Sequence, residues 1–155
     1  MRDVFGDTVA EIVAADKRNY VLACDIGYGV FDRLRRENPQ NWMNTGIQEA
    51  ATIGMASGMA MQGLRPWVYT ITPFLLERPF EQIKLDVVQQ NQNVKLVSYW
   101  DYGLLGPTHV SRKVKDICDV LGIGLIAPRS DEQAREDLLR ISQEDKPYFV
   151  YLIKC

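Results

Sequence analysis

Six short apolar runs, each set off from the next by a segment of helical character, most limit the folds open to this chain. They span residues 20–24, 42–44, 67–70, 94–99, 124–127 and 148–153. Short continuous apolar runs suit strands whose sheet is covered on both faces, and parallel strands need long crossovers that helices supply. The intervening segments fit that role. Residues 31–37 read as a helix stopped before Pro39, and 49–62 as a helix closed by Gly63. Residues 80–90 place Ile83 and Val87 four apart, and 114–121 form a shorter helix. Ser130-Asp131-Glu132-Gln133 is a capping box opening a helix to about residue 143. Ahead of the first run, Val4, Thr8, Val9, Ile12 and Val13 recur at helical spacing up to Asp16. The expectation is an α/β fold in three layers: a six-stranded, mainly parallel sheet with helices on both faces.

Such sheets bind ligands at the carboxyl ends of their strands. The candidate loops are therefore 25–29, 45–49, 70–78 and 99–109. With 155 residues and no repeat, linker or low-complexity stretch, residues 1–155 read as a single domain. Eighteen Lys and Arg against 20 Asp and Glu give a net charge of −2, which argues against nucleic acid as a partner. No apolar stretch approaches the roughly 20 residues of a spanning helix, and residues 1–7 lack a signal-like apolar core, so no membrane association is expected. Cys24, Cys118 and Cys155 are scattered and His109 is the sole histidine. Neither a metal site nor a disulfide framework is expected, and a cytoplasmic location is. Cys24 and Cys118 sit among apolar neighbours as small buried hydrophobes.

Three local features bear on chemistry. Asn44-Thr45-Gly46-Ile47-Gln48-Glu49 sets an acid where a strand end meets a helix. Glu49 there either complements the helix dipole or serves a reaction. Ala50, Gly54 and Gly58 lie four apart on that helix, a stripe that invites close approach by the chain's own sheet or by another subunit. Phe74 follows a strand end and Pro73, where its ring either stacks on a flat ligand or joins the core. Phosphate-cradling glycine loops and the nucleophile-elbow motif are missing from the sequence.

In order and spacing, these segments resemble the pyrimidine-binding (Pyr) domain of transketolase-like enzymes that use thiamine diphosphate. Asp25-Ile26-Gly27 with Phe31 is similar to the family's first strand-end motif, and Thr45-Gly46-Ile47-Gln48-Glu49 to its Gly-Ile-x-Glu signature. Gly63-Leu64-Arg65-Pro66, then Pro73-Phe74 with Phe80-Glu81-Gln82-Ile83, and finally Gly106-Pro107-Thr108-His109 follow in the family's order. The resemblance implies that Glu49 hydrogen-bonds ring nitrogen N1′ of the coenzyme, favouring the 4′-imino form that takes the C2 proton. It implies that Phe74 packs on the pyrimidine face with Phe80 beside it, that Asp25 lies near the cofactor cleft, and that His109 reaches substrate oxygens.

The same resemblance implies a separate PP-domain subunit that holds the diphosphate through Mg2+ or Ca2+, in a heterotetramer with two copies of each chain. Neither the PP half nor the family's C-terminal domain is found in this sequence, so the chain is expected to be inactive alone. Leu105 stands where sugar-phosphate transketolases carry an aspartate, and Ala127 where they carry a phosphate-binding arginine, with Arg129 two positions on. These departures point from an ordinary pentose phosphate toward a modified ketose, a nucleotide-linked sugar or a small 2-oxo acid. The expected function is ketol transfer or related carbon–carbon chemistry. A small subunit of a 2-oxo acid decarboxylase and a non-catalytic interaction domain are the alternatives.

Overall fold

The computed structural model describes residues 1–100, 103–111 and 113–153. Asp101 and Tyr102 of the expected loop 99–109, and Cys155, lie outside the described residues. Six strands form one sheet: β1 (Asn19–Ala23), β2 (Trp42–Asn44), β3 (Arg65–Ile71), β4 (Lys95–Tyr99), β5 (Gly124–Ile126) and β6 (Tyr148–Leu152). Their order is β2-β1-β3-β4-β6-β5, and all five pairings are parallel. Both margins of the sheet are three-residue strands, β2 and β5. Pro66 is the second residue of β3, one place later than expected. The β3–β4 register starts at Trp67, so its missing N–H falls outside that ladder.

Strand side chains alternate between two cores. Val21 and Ala23, Trp67 and Tyr69, and Val150 and Leu152 face α1 (Arg2–Ala15), α2 (Asp32–Glu37) and α7 (Asp131–Ser142). Leu22 and Cys24, Val68, Leu96 and Phe149 face α3 (Glu49–Met61), α4 (Thr72–Leu76), α5 (Phe80–Gln82) and α6 (Val114–Leu121). The first core centres on aromatics. Phe5 stacks on Tyr69 with centroids 5.3 Å apart, and Phe31 meets both rings edge-on. The indole N–H of Trp67 donates to Asn19 Oδ1 at 2.9 Å, which satisfies it in the interior. At the start of α7, the Ser130 hydroxyl accepts from the Gln133 N–H at 3.1 Å, and Gln133 Oε1 accepts from the Arg129 N–H, one residue ahead of the cap.

Two segments differ from expectation. Within residues 70–78, read as a loop, Pro73 sits in the first turn of the short helix α4, where its missing N–H goes unused. Residues 80–90, read as one α-helix, form the single turn α5 followed by a π-helical stretch over Ile83–Val88. There the Asp86 carbonyl accepts the Ser57 hydroxyl of α3 at 2.8 Å, a side chain entering the backbone ladder. Ile83 and Val87 are buried as the spacing requires. The Ala50/Gly54/Gly58 stripe does not pack on the chain's own sheet. That task falls to Ile53 and Ala56, while the stripe is exposed with open space beyond both glycines. Met55 and the β2 residue Met43 are exposed alongside it. Among the described residues no helix is long and apolar enough to cross a membrane.

The amino end of β4 holds a buried cation. Lys95 is enclosed, with Nζ donating to the carbonyls of Glu144 and Lys146 at 2.8 Å and to Asn93 Oδ1. Burial, aided by the positive charge of Arg65, lowers its pKa from 10.5 to about 8. Between those values the unfolded chain binds more protons than the folded one, so this group makes stability rise with pH over that window. Substituting Lys95→Met is expected to flatten the pH dependence of the urea midpoint between pH 8 and 10 relative to wild type. A second expectation concerns glycine. A methyl on Gly6 would lie 2.0 Å from the Val30 carbonyl oxygen, so Gly6→Ala should cost about 1–3 kcal/mol or more in chemical denaturation. Gly54→Ala, with open space around it, should instead stabilise this chain by up to about 1 kcal/mol.

Candidate active site

The ends of β1 and β2 are tied together by one side chain. Asn44 Oδ1 accepts from the backbone N–H groups of Asp25 at 3.0 Å and Gly46 at 2.9 Å, and Asn44 Nδ2 donates to Asp25 Oδ1 at 3.2 Å. Asp25 is held at φ +50° and Gly46 at φ +76°, the latter a conformation that suits glycine. Below this knot the Thr52 hydroxyl donates to that of Thr45 at 2.8 Å, and the Gln48 amide reaches the Thr45 carbonyl. The tight turn 45–48 therefore delivers Glu49 as the first residue of α3 in a fixed orientation.

Glu49 is only 4% exposed. It lines a cavity of about 490 Å³ bounded by the segments that leave β1, β2 and β3 and by the 103–109 turns. Ile26, Ile47, Ile71 and Leu105 make the walls largely apolar. Phe74 stands inside, with the His109 ring against it at 4.9 Å and steeply inclined. His109 Nδ1 lies 3.0 Å from the Thr108 hydroxyl. Arg78 Nη1 donates to Glu49 Oε1 at 2.9 Å, and its guanidinium carbon sits 3.4 Å over the Phe74 ring centroid. The Thr70 hydroxyl, on the same cavity's floor, is buried without a hydrogen-bond partner. Cys24 lines it too; burial pushes its thiol up, against a smaller lowering by the Thr45 hydroxyl at 3.7 Å. Cys118, remote in the second core, is raised by burial to about 11, so both thiols stay protonated at neutral pH.

Of the residues singled out in the sequence, Asp25, Glu49, Phe74 and His109 meet in this one cavity. Phe80 does not line it; its half-buried ring packs against the core under α3 and α4. Asp25 spends its side chain on Asn44, while the turn after it is closed by the Val30 N–H on the Gly27 carbonyl. Leu105 lines the cavity, whereas Ala127 and Arg129 are exposed and are not among its lining residues. Sequence reasoning missed Arg78 and Thr70. The signal for Arg78 was a lone cation in the mouth segment 72–80; Thr70 gave none beyond its place at a strand end. Among the described residues no three His, Cys, Asp or Glu side chains gather as a metal site.

The parallel α/β domain thus gathers a buried carboxylate at a helix start, an aromatic wall and a histidine at its strand ends. The chain belongs to the family described as transketolase, pyrimidine binding domain, whose model matches residues 1–154. It is 28% identical, over 99% of its length, to the 6-deoxy-6-sulfo-D-fructose transketolase subunit SqwH of Clostridium sp. (strain MSTE9), and covers 49% of that protein. Over 96% of its length it is 27% identical to an apulose-4-phosphate transketolase subunit of Phocaeicola vulgatus, again covering 49%. The chain thus spans about half the length of these curated relatives. In fold it is similar to a split gene transketolase described as an inactive beta4 tetramer (TM-score 0.88, 22% identity, 98% of this chain and 50% of that one). It is also similar to the transketolase of Campylobacter jejuni (TM-score 0.82, 14% identity, 97% and 25%).

Asn44→Ala removes three hydrogen bonds that fix the turn before Glu49. It should lower stability by about 1–2 kcal/mol in urea denaturation, given the modest net worth of each bond.

Proposed function

We propose that this chain is the Pyr subunit of a heteromeric, thiamine diphosphate-dependent transketolase-like enzyme, with a separate PP-domain subunit completing the active site. The observation that carries the proposal is the Glu49 carboxylate, 4% exposed and set in a mostly apolar cavity beside Phe74. The residues fit an aminopyrimidine: a flat aromatic wall, a carboxylate able to share a proton with a ring nitrogen, and an orphaned buried hydroxyl at Thr70. When bound, thiamine diphosphate supplies an electron sink for breaking and making a carbon–carbon bond.

In this reading Glu49 holds a proton at the ring nitrogen and sets the protonation state of the ring. Phe74 orients the ring, and Ile26, Ile47 and Leu105 exclude water around it. His109, beside Phe74, reaches oxygens of the substrate. The relatives named for 6-deoxy-6-sulfo-D-fructose and apulose 4-phosphate support a ketose as donor. Leu105, apolar at the cavity wall where sugar-phosphate enzymes carry an aspartate, supports a donor other than an ordinary pentose phosphate. The diphosphate and its Mg2+ or Ca2+ belong to the partner in this scheme, and two copies of each chain make the working assembly. The exposed Ala50/Gly54/Gly58 stripe, with Met43 and Met55 beside it, suits a contact between subunits.

The test is co-expression with a PP-type protein carrying a Gly-Asp-Gly…Asn motif, followed by a coenzyme-dependent ketol-transfer assay. Glu49→Gln is expected to cut turnover by about 100-fold or more, the usual scale of a lost proton-transfer group. Equal turnover of the variant and wild type would remove Glu49 from the mechanism.

A further inference from the structure

Arg78 makes with one side chain both contacts that the proposed ring requires. Its guanidinium lies 3.4 Å above the Phe74 centroid, a stacking separation, and donates to Glu49 Oε1 at 2.9 Å. A guanidinium is planar, delocalised and a hydrogen-bond donor, so it offers this pocket what a flat nitrogen heterocycle would offer. Because His109 also packs on Phe74, a ring entering the pocket has to compete for the aromatic surface. We propose that Arg78 is an internal placeholder: it holds the Glu49 carboxylate and the Phe74 face until a flat ligand with its own donor or shared proton displaces it.

The surroundings allow that exchange without backbone movement. Arg78 is 43% exposed on the solvent side of the cavity, whereas Glu49 is sunk behind it. The backbone around it is anchored: the Glu77 carboxylate accepts from the Ser111 hydroxyl at 2.7 Å, and Pro79 follows directly. Rotation about the arginine side-chain bonds is then the motion available. The exchange also selects. Withdrawing the guanidinium strands a buried carboxylate, which is unfavourable unless the incoming group pairs with it. A plain aromatic of the same size gains the Phe74 face and loses the Glu49 bond. A nitrogen heterocycle keeps both. This inference rests on the reading of the cavity as an aminopyrimidine site.

The probe is 4-amino-5-hydroxymethyl-2-methylpyrimidine, titrated into the full chain by NMR, with toluene as the control lacking a donor. Loss of the Arg78 Nε–H resonance in Arg78→Met confirms its assignment. Wild type is expected to bind the pyrimidine, with that resonance moving to a solvent-exposed position at saturation. Arg78→Met is expected to bind the pyrimidine about tenfold more tightly, and toluene should leave the wild-type resonance in place. Binding in both proteins with equal or weaker affinity in Arg78→Met, or an unmoved resonance at saturation, overturns the placeholder while leaving the pocket assignment intact. No binding to either protein overturns both. Through-bond correlation of that Nε–H to the Arg78 backbone amide assigns it in wild type alone, so this arm is independent of how well the variant folds.

Discussion

The crossover from β1 to β2 carries the chain one way across the sheet, and the crossover from β2 to β3 carries it back past β1. Because β1 lies between β2 and β3, the segment leaving β1 turns into α2 on one face while the segment leaving β3 turns into α4 on the other. Diverging connections leave a crevice above the strand ends, which is where open parallel sheets bind ligands. The cavity around Glu49 is that crevice. Its walls are the first residues after β1 and β3, and α3 enters it at its amino end.

A carboxylate in an apolar crevice is electrostatically unfavourable, and three contributions offset it. The start of α3 presents the positive end of the helix dipole at Glu49. Arg78 supplies a charge-assisted hydrogen bond. The Asn44, Thr45 and Thr52 contacts fix the turn, so that the side chain cannot escape to water by a backbone shift. The outer face of α1 and α2 is different. There Arg33 meets Asp7, Glu11 and Glu37 across 3.2–3.8 Å in exposed pairs whose contribution to stability is small.

Much of this was legible beforehand. Apolar runs at 20–24, 67–70 and 148–153 fall on strands because residues covered on both faces leave no polar interruption. The candidate loops followed from the strand ends, and Glu49, Phe74, Asp25 and His109 line one cavity there. What escaped the sequence depends on contacts between distant segments. The π-helical turn at Ile83–Val88 accompanies a hydroxyl arriving from Ser57, 29 residues earlier. The Arg78–Glu49 pair spans the same separation and has no local signature. Phe80 opens α5 after the turn 77–79 and packs against the core, an orientation that composition does not encode. The outward glycine stripe was open between two faces, and only the placement of Ile53 and Ala56 decides it.

The three-residue margins of the sheet have a wider bearing. A long bare edge offers a ladder of unpaired amides to any passing strand, the usual template for fibril growth and swapped segments. Here β2 and β5 are too brief to nucleate such a ladder, so recruitment by main-chain addition is discouraged on both flanks. A contact made by this fold with another protein would then fall on helical surfaces and strand-end loops, and would leave the hydrogen bonding of the sheet undisturbed.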